Sequence, residues 1–446
     1  MSSTIPLCDP VACVAAGCDA VVCTGKGVAS NDRLFERTTR AIPGGVNSSI
    51  RAFKAVGGRP YVVARGEGAH VYDVEGRRYI DLVQSYGAVI LGHAHPTITT
   101  ALAKAAVDGT SFGAPTPREM KLAEAISERV PSCERVRLMN SGTEATSTVV
   151  RLARGLTGRK KIIIFDGNFH GATDALLAAG GSGVATLGLP GTAGVPEEAV
   201  ANTIVAPYNV VPEIDDTVAA VIVEPVAANM GVVAPAPGFL EGLRAACDRV
   251  GALLVFDEVI TGFRLGTGGA QGRFGVRPDL TCFGKVIGGG LPIGAVGGRR
   301  DVMETLSPLG KVFHAGTLAG NPMATAAGLA ALSELTVDAY AAIESRAARL
   351  AAIIRTSLGT SATVSQVGTL VGVHLGDALG GRNPVNFSEA KTTDEPAYAK
   401  LFHALLNEGV ALAPGAYEAL FVGLSHDESV MDELSERFQR AVATIL

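Results

Sequence analysis

The sequence predicts an α/β protein: a large domain with a mostly parallel sheet covered by helices, joined to a smaller α+β domain built from the two ends of the chain. Three observations carry that prediction. From about Thr97 onward, helical stretches alternate with short, wholly apolar runs, the pattern of strands buried on both faces. The segments before and after that stretch read differently, as a meander of short strands and as helix, strands, helix. The chain has 446 residues, more than one hydrophobic core holds comfortably, and 47% are hydrophobic.

In chain order, residues 1–30 read as a poorly ordered extension. Asn31–Arg40 reads as a short helix with Leu34 and Phe35 inward, ending before Pro43-Gly44-Gly45. Tyr61–Val63, His70–Asp73 and Tyr79–Leu82 are meander strands with a turn at Glu75-Gly76, and this 31–90 segment is expected to join the small domain. Within the large domain, 91–335, helices are predicted at Thr97–Val107, Arg118–Val130, Glu144–Leu156, Gly238–Val250 and Met323–Leu335. Strands are predicted there at Val136–Met139, Lys161–Phe165, Ala219–Val223, Ala252–Phe256 and Leu280–Phe283. The rest of the small domain, 336–446, begins with a short linker near 336–342. It continues with a helix at Ala341–Leu358, strands at Gly368–Leu375, Gly409–Ala413 and Ala419–Leu424, and a closing helix from Glu428.

A net charge of −5 with no basic run leaves no electrostatic footprint for nucleic acid. No stretch approaches the ~18–20 apolar residues of a membrane span, so a soluble, cytoplasmic protein is expected. Charged residues make up only 18%, which fits a surface partly covered by another subunit. Cys8, Cys13, Cys18 and Cys23 recur at equal spacing in the extension, without the knuckle spacing of a zinc site, and no metal is expected. That stretch also lacks the basic start and cleavage pattern of a signal peptide and the Arg content of a transit peptide.

The chemistry concentrates at Lys285, in the run Phe283-Gly284-Lys285 that leads to the triplet Gly288-Gly289-Gly290. An amine at the end of an apolar strand suits attachment of an aldehyde cofactor, and pyridoxal phosphate asks for three things: a lysine, a carboxylate for its ring nitrogen, and donors for its phosphate. Asp257, ending the run Leu253-Leu254-Val255-Phe256, supplies the carboxylate; an opposite charge there keeps a ring nitrogen protonated. Ser141, Gly142 and Thr143 stand between a strand and a helix, where free backbone N–H groups and hydroxyls suit a phosphate. Phe169 can stack on the ring. Each has a plain alternative: a solvated lysine, a turn aspartate, a helix cap and a core phenylalanine. Their joint presence, each at the carboxyl end of a predicted strand, outweighs those readings.

These residues resemble the class III, fold-type I pyridoxal-phosphate enzymes, and within that class the glutamate-1-semialdehyde aminomutases. The similarity runs from about Leu34 to the carboxyl terminus. It is carried by Pro43 through Ser48, Arg51-Ala52-Phe53, Gly109 through Pro115, Asn140 through Ala145, and Gly181 through Pro190. Glu224-Pro225, Asn229-Met230-Gly231, Asp257 through Arg264 and Ala315 through Leu318 extend it. The resemblance implies that Lys285 attaches the cofactor and shuttles a proton, Asp257 pairs the ring nitrogen, and Ser141, Gly142 and Thr143 bind phosphate with Thr317 of a second subunit. It implies that Arg51 holds the substrate carboxylate. Ser48, Tyr86, Ser182 and Glu418 are placed on the substrate side, with Asn229 beside the cofactor. A homodimer with composite active sites follows, as does a lid over Gly181–Pro190. The implied reaction exchanges the two amino positions of one small-molecule substrate between pyridoxamine and pyridoxal forms of the cofactor, giving 5-aminolevulinate through 4,5-diaminovalerate.

Several positions depart from that pattern. Tyr86 stands where the aminomutases usually have Trp, Asn168-Phe169 replaces Cys-Tyr, His314 replaces Gln, Ala228 replaces Gly, and Gly415-Ala416-Tyr417 replaces Ser-Gln-Phe. They leave open an external aminotransferase acting on a different aldehyde or keto substrate. A non-catalytic cofactor-binding protein is the third reading, opposed by the presence of both Lys285 and Asp257.

Overall fold

The computed structural model describes residues 30–178 and 192–445. The four evenly spaced cysteines, Ser182 and the Gly181–Pro190 loop lie outside them. Helix α1 (Asn31–Ala41) opens on Ser30, whose hydroxyl accepts the Arg33 N–H. Strands β1 (Val63–Glu67), β2 (His70–Asp73) and β3 (Arg78–Asp81) form the antiparallel meander. The first begins only at Val63 because the Val62 N–H is taken by the Asn31 side chain, which also donates to Asp73. Helices α2 (Pro96–Asp108) and α3 (Pro117–Arg129) each start on proline, where a missing N–H costs nothing, and Thr116 and Glu119 add a capping box to α3.

The large layer follows: β4 (Arg135–Met139), α4 (Gly142–Thr157), β5 (Lys161–Phe165), β6 (Thr203–Ala206), β7 (Val218–Val223), α5 (Phe239–Val250), β8 (Leu253–Asp257), β9 (Leu280–Gly284), β10 (Gly294–Gly298) and α6 (Pro322–Glu334). Among the described residues the strands form a seven-stranded sheet in the order β4-β10-β9-β8-β7-β5-β6. From β9 to β6 all pairs are parallel, whereas β10 is antiparallel to both neighbours. The sequence pattern missed two of these strands. Strand β6 is a short edge with Ile204 and Val205 partly exposed. Strand β10 is mostly glycine because nothing larger fits: a Cβ on Gly294 would lie 2.1 Å from Ser141 O, and one on Gly297 2.6 Å from Cys133 Sγ.

Helix α7 (Val337–Leu358) follows α6 directly. Thr336 caps it by accepting the Ala339 N–H, so the expected linker is absorbed into the helix start. Then come β11 (Ala362–Val367), β12 (Leu370–Leu375), α8 (Glu395–Asn407), β13 (Val410–Ala411), β14 (Leu420–Phe421) and α9 (Glu428–Ala443). Strand β12 pairs with β11 and β14. Strand β13 runs parallel to β3, so chain segments from opposite ends share the four-stranded sheet β1-β2-β3-β13. One hydrophobic cluster joins Leu122, Ile287 and Leu332 of the large layer to Leu350, Phe402 and Leu434 of the carboxyl-terminal layer. That shared core fixes the carboxyl-terminal layer over the ends of the parallel strands.

Candidate active site

The parallel strands β5, β7, β8 and β9 deliver their chemistry at one end. Asp257 is the last residue of β8, and register places it beside Cys282 of β9, three residues before Lys285. Its Oδ1 accepts the Val259 N–H at 3.1 Å, and its Oδ2 lies 2.7 Å from Nδ1 of His170, whose side chain is wholly buried. An ionised Asp257 requires Nδ1 to carry the proton and donate it. The other ring nitrogen, Nε2, is buried with no partner. His170 comes from the loop after β5, where Gly167 turns the chain at φ 81° with Met230 and Phe387 packed too close for a side chain.

Glu224 follows β7 and is buried with both oxygens engaged. Oε1 accepts from the Phe169 N–H at 2.7 Å and Asn229 Nδ2 at 2.9 Å, and Oε2 accepts from the Ala228 N–H at 3.1 Å. Burial, reinforced by the Asp257 charge and opposed by His170, pushes its carboxyl up to about 7. Asn229 therefore contacts a carboxylate, and Phe169 is held by its backbone with its ring 38% exposed, not packed in the core. The sequence reading quoted Glu224 as a motif residue without a role and missed His170. The signal for Glu224 was position, since it follows buried β7 directly, whereas His170 lies in the loop after β5.

At the far side, β4 runs through Asn140 into α4. Ser141 caps the helix by accepting the Glu144 N–H at 3.2 Å, and Asn140 donates its backbone N–H to Glu144 Oε2. Gly142 and Thr143 occupy the first helical turn, where N–H groups have no acceptor inside the helix. The wall is close: a Cβ on Gly142 would sit 2.9 Å from Val259 Cγ2, and one on Gly171 2.5 Å from Thr143 Oγ1.

Lys285 lies just past β9, not within it, as the first residue of a tight turn at φ 48°. A non-glycine residue there is strained, on the order of 1–3 kcal/mol, and such strain gathers at functional sites. Burial pushes its amine below the usual lysine range, against the pull of the Glu418, Glu224 and Asp257 carboxylates and with help from the Arg264 charge. That direction favours the neutral amine, which is the nucleophilic form.

These groups line one cavity of about 830 Å³ that also takes in Ser48, Arg51, Tyr86, Phe169, Asn229 and Glu418. Tyr86 enters it from Gln84–Gly87, one turn of left-handed backbone with φ of 46°, 50°, 54° and 93°. Burial and the neighbouring Glu418 carboxylate raise the Tyr86 hydroxyl above the usual phenol range, and Arg51 opposes them. Thr317 is exposed and stands outside the lining of this cavity.

The donor set fits pyridoxal phosphate. Gly142 and Gly171 leave a cradle that side chains would fill, edged by helix N–H groups and the hydroxyls of Ser141 and Thr143, with a part-buried amine, a buried carboxylate and an open aromatic face beyond it. The unpartnered His170 Nε2 marks a buried polar position at the same wall. Among the described residues no cluster of His, Cys, Asp or Glu is arranged to hold a metal ion.

Comparison with known proteins agrees with this arrangement. The family model described as aminotransferase class-III matches residues 53–442. The glutamate-1-semialdehyde 2,1-aminomutase of Aquifex aeolicus (strain VF5) is 49% identical over 423 residues, covering 92% of this chain and 99% of its own. That of Bordetella avium (strain 197N) is 48% identical over 426 residues, covering 93% and 99%. Among solved structures, an omega-transaminase from Sphaerobacter thermophilus superimposes with a TM-score of 0.83 at 32% identity, covering 94% of this chain and 98% of that one. A glutamate-1-semialdehyde-aminomutase from Pseudomonas aeruginosa PAO1 in complex with PMP gives 0.83 at 27% identity, covering 93% and 94%. The chain belongs to the class-III aminotransferase family.

Proposed function

We propose that the chain is a pyridoxal-phosphate-dependent aminomutase that converts glutamate-1-semialdehyde to 5-aminolevulinate by way of 4,5-diaminovalerate. The observation that carries this reading is one cavity holding Lys285 at its floor and Arg51 on its wall, in a chain 48–49% identical along nine-tenths of its length to proteins of that name. When bound, the cofactor supplies an exchangeable amine in one form and an amine-accepting aldehyde in the other.

The protein's own residues do the rest. Lys285 Nζ would hold the cofactor through its aldehyde and, when freed, would serve as the base that carries a proton between the substrate carbon and the cofactor carbon. Asp257, held by His170 and the Val259 N–H, would stand to the ring nitrogen as the opposite charge that favours its protonated form. Ser141, Gly142 and Thr143 receive the phosphate, and Phe169 supports the ring face. Arg51 holds the substrate carboxylate by its fork, with Ser48, Tyr86 and Glu418 shaping the chain-binding space. Asn229 and Glu224 buttress Phe169.

We further assign a homodimer in which Thr317 completes the phosphate site of the partner. Close to it in the chain, Leu309, Phe313 and Leu318 are 75%, 68% and 52% exposed, apolar side chains that a second copy would cover. The cytoplasm is the expected location. Purified protein mixed with glutamate-1-semialdehyde and no other amino donor should produce 5-aminolevulinate catalytically. Turnover only with an added donor and acceptor would instead establish an external aminotransferase.

A further inference from the structure

We propose that Arg264 is a positioning residue of the substrate pocket: by gripping Gly87 O it holds the left-handed turn Gln84–Gly87 and so sets Tyr86 against Arg51 and Glu418. Three successive non-glycine residues at positive φ form a conformation that L-residues avoid, and it persists only where the surroundings over-determine it. The front of the turn is tied to Asp81, whose Oδ1 accepts the Val83 and Gln84 N–H groups at 2.8 and 3.1 Å. The back is tied by Arg264, whose Nε and one terminal nitrogen both donate to Gly87 O, at 3.2 and 2.9 Å. Its other terminal nitrogen donates to Val422 O at 3.1 Å, and the Phe421 ring, itself on the cavity wall, lies 5.0 Å from the guanidinium.

Arg264 is fully buried and forms no ion pair with any carboxylate among the described residues, so burial pushes its pKa down to about 9. An apolar side chain of similar length would fill the same space without that cost. What only arginine supplies is a planar fork on a single carbonyl, the carbonyl next to Tyr86. The competing reading is that Arg264 merely braces the fold.

This inference rests on the cavity being the substrate site, and its first readout needs neither substrate nor cofactor. In cofactor-free Arg264→Met, amide exchange of the peptide carrying Ala88 and Val89, whose N–H groups close the turn, should quicken about tenfold or more. The KM of the loaded enzyme for its amino-aldehyde should rise about tenfold, with kcat within about threefold. Adding Ser85→Gly, at an exposed position already at φ 50°, should return both values toward wild type because glycine takes that conformation freely. If Arg264→Met does not fold, Arg264→Lys gives the same readouts at smaller amplitude. Tyr86→Ala should raise KM as well. A lowered Tm with wild-type exchange in the turn and wild-type KM would overturn the proposal, as would faster exchange with unchanged KM. The donor-free assay judges the aminomutase reading separately.

Discussion

The floor and the rim of the cavity are built on different principles. The floor is the set of parallel strand ends: Asp257 closes one buried strand, Glu224 and Lys285 come immediately after theirs, and His170 reaches Asp257 from the loop after β5. The rim comes from distant stretches: Arg51, the turn carrying Tyr86, and Glu418 near the other end of the chain. The floor's geometry is dictated by sheet register, which permits no partial slip. The rim's geometry is dictated by a strained turn, a buried arginine fork and the packing of the carboxyl-terminal layer. Cofactor chemistry is shared across a family and belongs on the rigid part; substrate choice varies and belongs where sequence changes are local. The positions singled out in the sequence divide between the two: Tyr86 and 415–417 fall on the rim or beside it, and Asn168, Phe169 and Ala228 bond Glu224 on the floor, where Lys285 and Asp257 are in place.

The strongest way to break this comparison is at the floor. Lys285→Ala should lower kcat by about 10³-fold or more, because attachment and proton transfer both depend on one amine. Borohydride treatment of the loaded protein, read by mass spectrometry, should fix cofactor mass to the wild type and none to the variant. Fixation in the variant would move the attachment site elsewhere.

Glu224 tests the floor without any turnover. Its folded pKa, about 7, lies above the usual carboxyl value of 4.5, so between those values the folded state holds more protons than the unfolded one. Stability from this group is therefore fully present below about pH 4.5 and is lost as pH rises through about 7, a change on the order of 1–3 kcal/mol. Thermal melts of cofactor-free Glu224→Gln should lose that part of the pH slope, whatever the level of its Tm. An identical slope in both proteins would mean that Glu224 is already ionised at pH 5.

The sequence made the floor easier to read than the rim for the same physical reason. Lys285, Asp257 and the Ser141–Thr143 turn sit in local strand-to-turn patterns, and the apolar runs that frame them are visible without a structure. His170 was passed over because its partner, Asp257, is distant in sequence and adjacent only across the sheet. Strand β10 was passed over because its glycines answer to Ser141 O and Cys133, contacts that no periodicity records. Helix α8 and strand β11 were missed in the carboxyl-terminal layer, where tertiary packing decides the elements. The left-handed turn at Gln84–Gly87 had no local signal at all, since only its last residue is a glycine.

On the rim the expected effects are smaller. Arg51→Lys should raise KM about tenfold, or about 1.4 kcal/mol, with a lesser change in kcat, because an ammonium cannot reproduce a two-point grip on a carboxylate. An unchanged KM would remove Arg51 from that role.

Tyr86→Phe is the finest probe. The ring and the turn that carries it are kept, so shape is preserved and only the hydroxyl that feels the Glu418 and Arg51 charges is lost. If Tyr86 serves by shape, KM should change by no more than about threefold, under the ~1 kcal/mol of an ordinary hydrogen bond. A tenfold or larger change would make the hydroxyl itself a binding group. The rim would then share the floor's dependence on single polar atoms, and the division between a rigid chemical floor and a shape-selecting rim would fail at Tyr86.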